Sequence, residues 1–169
     1  GEEAREEAKT KNPEKGISRL AAKLKQFLCY DHSSEYEPKL SGQEYVKGFT
    51  GLWILADEVH LMNLAVRERY RRQGIGELLL ISVIDLAKEL KARIITLEVR
   101  ASNTAAQSLY QKYGFTQTGM RRAYYIDNKE DAVIMSTEDI AATSFRARLE
   151  RLQEAYSKRW GIKKFQISR

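Results

Sequence analysis

With 169 residues, 43% hydrophobic and 31% charged, the chain has the composition of one ordinary globular domain with a core of its own, which excludes a chain disordered as a whole. No apolar run approaches the roughly 20 residues of a membrane-spanning helix, and the single cysteine, Cys29, leaves no intramolecular disulfide. The net charge of +6 favours polyanionic partners such as a nucleotide cofactor, RNA or an acidic membrane surface, without choosing among them.

Residues 1–48 are charged, lack strand-like alternation and hold both prolines, Pro13 and Pro38. The opening Gly1-Glu2-Glu3 is acidic and helix-prone, unlike a secretory signal, and with the lone cysteine this predicts a cytoplasmic setting. Ile17, Leu20, Ala21, Leu24, Phe27 and Leu28 recur at helical spacing with Lys15, Arg19, Lys23 and Lys25 between them. That pattern predicts an amphipathic basic helix, which either docks on the domain or offers a surface to a membrane or partner. His32 falls in a polar loop. The only other histidine is His60, and the absence of any Cys/His cluster at ligand spacing predicts no bound metal.

Residues 49–137 read as a compact α/β unit. Phe49–Ala56 and Val59–Val66 predict two strands joined by a turn at Asp57-Glu58. Gly74 and Gly76 open a strongly apolar helix running to about Ala92, and Ile94–Arg100 has the β-branched, alternating character of a strand. Asn103 suits the N-cap of a short helix through Tyr113, closed by Gly114 in the left-handed conformation. Phe115–Ile126 and Ala132–Thr137 then predict a hairpin around Asp127-Asn128.

Residues 138–169 form the last segment. Thr137 is placed to cap a helix whose apolar stripe is Ile140, Phe145, Leu149, Leu152, Tyr156 and Trp160, with Arg and Lys on the other face.

The chemistry concentrates between Asn63 and Gly76, where a strand ends, a basic turn with two glycines follows and a long helix begins. Glycines allow close backbone approach, and the first helical amides at Ile75, Gly76 and Glu77 have no internal partners. Together with the helix dipole they form a site for a pyrophosphate, to which Arg71, Arg72 and Gln73 add charge and donors. A Walker A loop would need Gly-Lys-Ser/Thr, which is absent, and a Rossmann fingerprint would need a third glycine where Leu79 stands. Alone, two glycines beside arginines also describe a structural turn.

The surrounding motifs are more specific. Asn63-Leu64-Ala65-Val66 is followed by Arg71-Arg72-Gln73-Gly74-Ile75-Gly76, then Leu97-Glu98-Val99-Arg100-Ala101-Ser102-Asn103, Ala105-Ala106, Leu109-Tyr110 and Tyr113-Gly114-Phe115. Arg121-Arg122-Ala123-Tyr124-Tyr125 and Glu130-Asp131-Ala132 complete the series. This ordered set, over roughly residues 48–137, resembles the GNAT superfamily of N-acetyltransferases, and within it the ribosomal-protein-alanine (RimI-like) subgroup.

The resemblance implies a mixed, mostly antiparallel sheet that splays at an acetyl-CoA site, flanked by helices and carrying extra helices at both ends. It implies acetyl-CoA as cosubstrate, held by Leu64, Ala65 and Val66 along the pantetheine, by the segment from Arg71 to Glu77 at the phosphates, and by Asn103. The acceptor it implies is a protein N-terminus, foremost alanine of a ribosomal protein; no DNA and no transmembrane segment are expected. Glu98, mid-strand between Leu97 and Val99, is the implied general base; read from the residues alone, it is also a surface carboxylate paired with Arg100 or another base. Tyr110 is the implied acid for the departing thiolate, although an aromatic at helical spacing is also ordinary core. Asn103 is fully explained as an N-cap. A tyrosine of the Arg121–Tyr125 segment is expected to line the acceptor site, unless it is a cross-strand packing residue. A lysine side chain or a small amine is the alternative acceptor, and a non-catalytic CoA-binding subunit the alternative role. The strand and helices that normally open the family's domain are not recognisable in residues 1–48, and the helix after Thr137 runs past its usual end.

Overall fold

The computed structural model describes residues 46–161. The basic helix expected within residues 14–29 lies outside them. The chain enters an antiparallel hairpin, β1 (Gly48–Leu55) and β2 (Glu58–Val66), then passes a short 3-10 turn at Glu68–Tyr70 into α1 (Ile75–Glu89). There follow β3 (Ile94–Arg100), α2 (Thr104–Lys112), β4 (Phe115–Arg121), β5 (Ala132–Thr137) and α3 (Thr143–Trp160). The sheet order is β1-β2-β3-β5-β4, and only β2 and β3 run parallel. This is the mixed, mostly antiparallel sheet expected. Among the described residues no helix is long and apolar enough to cross a membrane.

The core explains why α1 is so uniformly apolar. Leu79, Leu80, Ile81, Val83 and Ile84 are each at most 1% exposed, so the helix is covered on more than the one side that faces the sheet. The second cover is α3, whose Phe145, Leu149, Leu152 and Tyr156 form a buried stripe at helical spacing. Gln153 of α3 donates to both oxygens of Asp85 of α1 at 3.2 and 3.0 Å. Burial nevertheless raises the Asp85 pKa, outweighing Lys88 and Gln153.

Two expectations change. The hairpin after Gly114 is shorter than its sequence suggests, because β4 ends at Arg121 and residues 122–131 form a long connection. Ala123 takes a positive φ of 49°, its amide donates to Asp131 Oδ1 at 2.7 Å, and Arg100 pulls on Asp127 and Glu130. Those local and ionic bonds replace the ladder. Thr137, expected as a helix cap, is instead the last residue of β5, where its Oγ1 accepts from the Ile95 amide at 3.0 Å. The helix starts only at Thr143, after Ala142, and Ile140 reaches the core from the connecting turn.

What positions the site is a break between β2 and β3. Their parallel pairing ends at Leu61–Leu97. On the other edge of β2 the register with β1 jumps, Gly51 opposing Asn63 and Leu52 opposing Leu61, so Met62 is an extra residue. Such a bulge bends its strand. Asn63–Val66 therefore keeps its pairing with β1 but leaves β3, and a wedge opens.

Candidate active site

The wedge is a cleft of about 210 Å³ lined by Met62, Asn63 and Leu64 of β2 and by Glu98 and Arg100 of β3. Asn103, Tyr110 of α2 and Tyr125 of the β4–β5 connection close it. Because β3 turns away, the β3-facing edge of β2 beyond Leu61 presents main-chain groups without a ladder partner, and these can pair with an extended ligand.

The glycine turn leads from the end of β2 into α1. Arg72 and Gly74 have φ of +63° and +78°. At Gly74 the left-handed backbone favours glycine, and a Cβ would also stand 2.6 Å from the Trp160 indole. The Ile75, Gly76 and Glu77 amides have no carbonyl a turn earlier to bond, and they sit at the positive end of the helix dipole. Arg71 and Arg72 are exposed and form no ion pair among the described residues. Arg71 Nε and Gln73 Nε2 donate only long bonds, 3.4 and 3.3 Å, to the Val66 and Arg69 carbonyls. These cations and amides fit a pyrophosphate. The Glu77 carboxylate is engaged elsewhere, pairing with Lys112 and accepting from the Tyr113 hydroxyl at 2.8 Å, which leaves only its amide for a ligand.

Glu98 lies between buried Leu97 and Val99, so the pleat turns it to the face shared with Thr96 and Arg100. Its side chain is 10% exposed, and its oxygens meet His60 Nε2 at 2.8 Å and Arg121 Nε at 3.2 Å. A carboxylate so nearly enclosed needs such partners, because an unpaired charge there would be expensive. Arg100 is not among them. Its guanidinium binds Asp127 at 2.9 Å and Glu130 at 3.2 Å and lies 3.9 Å from the centre of the Tyr125 ring. Hydrogen bonds from Ser102, foremost, then from Asn128 and Arg100 hold Glu130 down at about 2, so this anchor of the β4–β5 connection stays charged.

Tyr110 is 7% exposed and packs on Phe115 at 5.7 Å between ring centres. No hydrogen bond engages its hydroxyl among the described residues, and burial, helped by Tyr125, pushes its pKa up to about 12. It holds its proton across the neutral range. Asn103 caps α2, its Oδ1 accepting from the Ala106 amide at 3.2 Å, and lines the cleft as well. Gln107 fastens the other side of this corner by donating to the Arg100 and Ala101 carbonyls at 2.9 and 3.0 Å.

Comparison with known proteins follows the same outline. Residues 3–115 match the acetyltransferase (GNAT) family. The chain belongs to that family. Within the GNAT proteins it is 45% identical over 85 residues to the ribosomal protein bS18-alanine N-acetyltransferase of Escherichia coli strain K12, covering 49% of this chain and 57% of that one. It spans about 60% of the length of the curated relatives it matches. The crystal structure of the Escherichia coli ribosomal-protein-S18-alanine N-acetyltransferase superposes with a TM-score of 0.54 at 30% identity, over 74% of this chain and 90% of that one. A GNAT acetyltransferase from Elizabethkingia anophelis, solved with acetyl-CoA bound, aligns at 28% identity with a TM-score of 0.53, over 58% and 72%.

Of the residues expected to make up a GNAT site, Leu64, Glu98, Asn103 and Tyr110 line one cleft. Ala65 and Val66 continue the same strand, and the segment from Arg71 to Glu77 starts α1 just beyond it. Tyr125, rather than Tyr124, turns into the cleft, while Tyr124 is 44% exposed and meets Tyr125 edge-on at 5.3 Å. Sequence reasoning missed His60 and Arg121 as partners of Glu98. The available signal was period two on adjacent strands, which puts Glu58 and His60 on one face of β2 and Thr96 and Glu98 on the matching face of β3.

Proposed function

We propose that this chain is an acetyl-CoA-dependent N-acetyltransferase that acts on the α-amine of a protein N-terminus, foremost an alanine N-terminus of a ribosomal protein. The observation that carries the reading is the placement of Glu98 and Tyr110 on the walls of one cleft that opens beside the glycine turn. The similarity to ribosomal-protein-alanine acetyltransferases supports the choice of acceptor.

When bound, acetyl-CoA supplies an acetyl group activated as a thioester. The chain's own residues do the rest. The amides at the start of α1, with Arg71 and Arg72, would take the pyrophosphate, and the open edge of β2 from Asn63 to Val66 would hold the pantetheine and supply amides to the carbonyl oxygen. Glu98, in contact with His60, removes a proton from the incoming ammonium group. Tyr110 keeps a proton available at a buried hydroxyl and can pass it to a thiolate, whose ordinary pKa near 8.5 lies far below the phenol's, so the hydrogen bond precedes full transfer. Tyr125 and Met62 give the acceptor side an apolar wall suited to a short side chain.

A peptide that starts with alanine and contains one internal lysine tests the acceptor. Incubated with acetyl-CoA and sequenced by mass spectrometry, it should carry acetyl on its α-amine. Acetyl on lysine alone would overturn the N-terminal assignment and leave acetyl transfer standing. No transfer to either amine, with CoA binding intact by calorimetry, would overturn the peptide acceptor and leave a small-amine acceptor or a non-catalytic CoA-binding subunit.

A further inference from the structure

The first turn of α1 carries a carboxylate where a pyrophosphate site tolerates one least. Glu77 is the third residue of the helix, counted from the cap at Gly74. A glutamate at that position can reach back to the amide of the cap, and the positive end of the helix dipole favours a negative charge that settles there. Gly74 has no side chain with which to occupy the first amides itself. A free Glu77 carboxylate would therefore compete with a phosphate for the same donors.

The end of α2 holds it elsewhere. Glu77 Oε1 pairs with the ammonium group of Lys112, the last residue of α2, and accepts from the hydroxyl of Tyr113, the next residue, at 2.8 Å. The Glu77 side chain is only 15% exposed, so water screens the pair less than it would on an open surface. Tyr113 is buried in the core, and burial, reinforced by Glu77, raises the pKa of its hydroxyl, which stays a donor. The other hydroxyl nearby, that of Tyr156 of α3, is directed at the Gly74 carbonyl at 3.3 Å and leaves Glu77 to α2.

We propose that Lys112 and Tyr113 are positioning residues that draw the Glu77 carboxylate away from the first amides of α1 and so keep the pyrophosphate site open. The ligand in this inference rests on the acetyltransferase reading above, whereas the place of the carboxylate does not. A tie between α1 and α2 that served packing alone would behave differently. Cutting it would lower stability and leave the amides as they were. Here the loss of the tie harms anion binding only while residue 77 has a carboxylate that can turn back. A general loss of positive charge at Lys112 would harm it whatever stands at residue 77.

The experiment compares the full chain with Lys112→Met/Tyr113→Phe, with Glu77→Gln, and with all three changes together, which restore the net charge of the parent. Calorimetry reads the Kd for CoA. The double variant should bind CoA about two- to fivefold more weakly, the scale of one charge at a helix terminus. Glu77→Gln alone should bind no more weakly than the parent, and adding it to the double variant should restore affinity. Without any ligand, hydrogen exchange at the Gly74 amide, followed by nuclear magnetic resonance, should be slower in the double variant and return to the parent rate in the triple. A merely loosened helix would exchange faster instead. Lys112→Met alone, at a half-exposed position, should show both effects in smaller measure and serves if the double variant folds poorly. Unchanged CoA affinity on cutting the tie, a loss that Glu77→Gln fails to restore, or a Gly74 amide that exchanges no more slowly would overturn the proposal. The expected exchange pattern in a protein that binds no CoA would support the tie and remove the acetyl-CoA reading instead.

Discussion

The cleft and the glycine turn beyond it are built by different means. At the glycine turn the groups proposed to bind the cofactor are main-chain amides, next to the left-handed backbone at Arg72 and Gly74, and the nearby cations are exposed. In the cleft the groups proposed to do the chemistry are side chains, and Glu98 is fixed by His60 from β2 and Arg121 from β4. The turn depends on what the backbone can do, and most side-chain changes there are expected to be tolerated. The cleft depends on side-chain chemistry, and few changes there are expected to be tolerated. Binding and chemistry should therefore be separable by substitution.

The sharpest way to break that separation is Glu98→Gln, which keeps the shape and removes the base. Turnover should drop about 10²- to 10⁴-fold, while calorimetry finds unchanged affinity for CoA. Loss of CoA binding in this variant would show that the cleft and the turn are not independent.

Tyr110→Phe comes next, with a loss of about 10²-fold in kcat, because the ring still packs on Phe115 and only the hydroxyl is gone. Its pH dependence is equally specific. Folding raises this pKa from 10.0 to about 12, so the phenol remains protonated below its ordinary value and starts to ionise only on the way to the higher one. Its contribution to stability is complete below pH 10.0 and is lost as pH climbs toward about 12. A basic limb in the rate profile well below pH 10.0 that disappears in Tyr110→Phe would contradict the assignment of Tyr110 as the proton donor.

The smallest effects belong to the glycine turn. Gly74→Ala forces a Cβ into left-handed backbone and against Trp160, and strain of about 1–3 kcal/mol would weaken CoA binding about 5- to 150-fold with kcat at saturation preserved. Trp160→Ala removes a wall behind the turn without touching an amide and should cost only a few-fold in affinity, near the low end of that range. If Gly74→Ala lowers kcat and spares affinity, the backbone-built account of the turn fails.

Much of this was legible in the sequence, for reasons that are local. Strand alternation over Ile94–Arg100, the cap at Asn103, the left-handed Gly114 and the glycine turn into α1 each depend on neighbouring residues, and all stand in the structure where they were expected. The β4–β5 connection was not legible, because Ala123, Tyr124 and Tyr125 have strand-like composition nearby but are drawn out of the ladder by Asp131 and by the ion pairs of Arg100. Thr137 was misplaced for the same reason: its hydroxyl serves a strand amide at Ile95, far away in the chain.

By itself the sequence determined the order of elements, the glycine turn that opens α1, and the presence of Glu98 and Tyr110 within the family's motifs. The tertiary structure decided what surrounds them. Whether Glu98 pairs with Arg100 or with His60 depends on the parallel register of β2 against β3 and on the bulge at Met62 that ends it. Register and bulge are fixed by how buried faces align across the sheet, a long-range condition that no window along the chain contains.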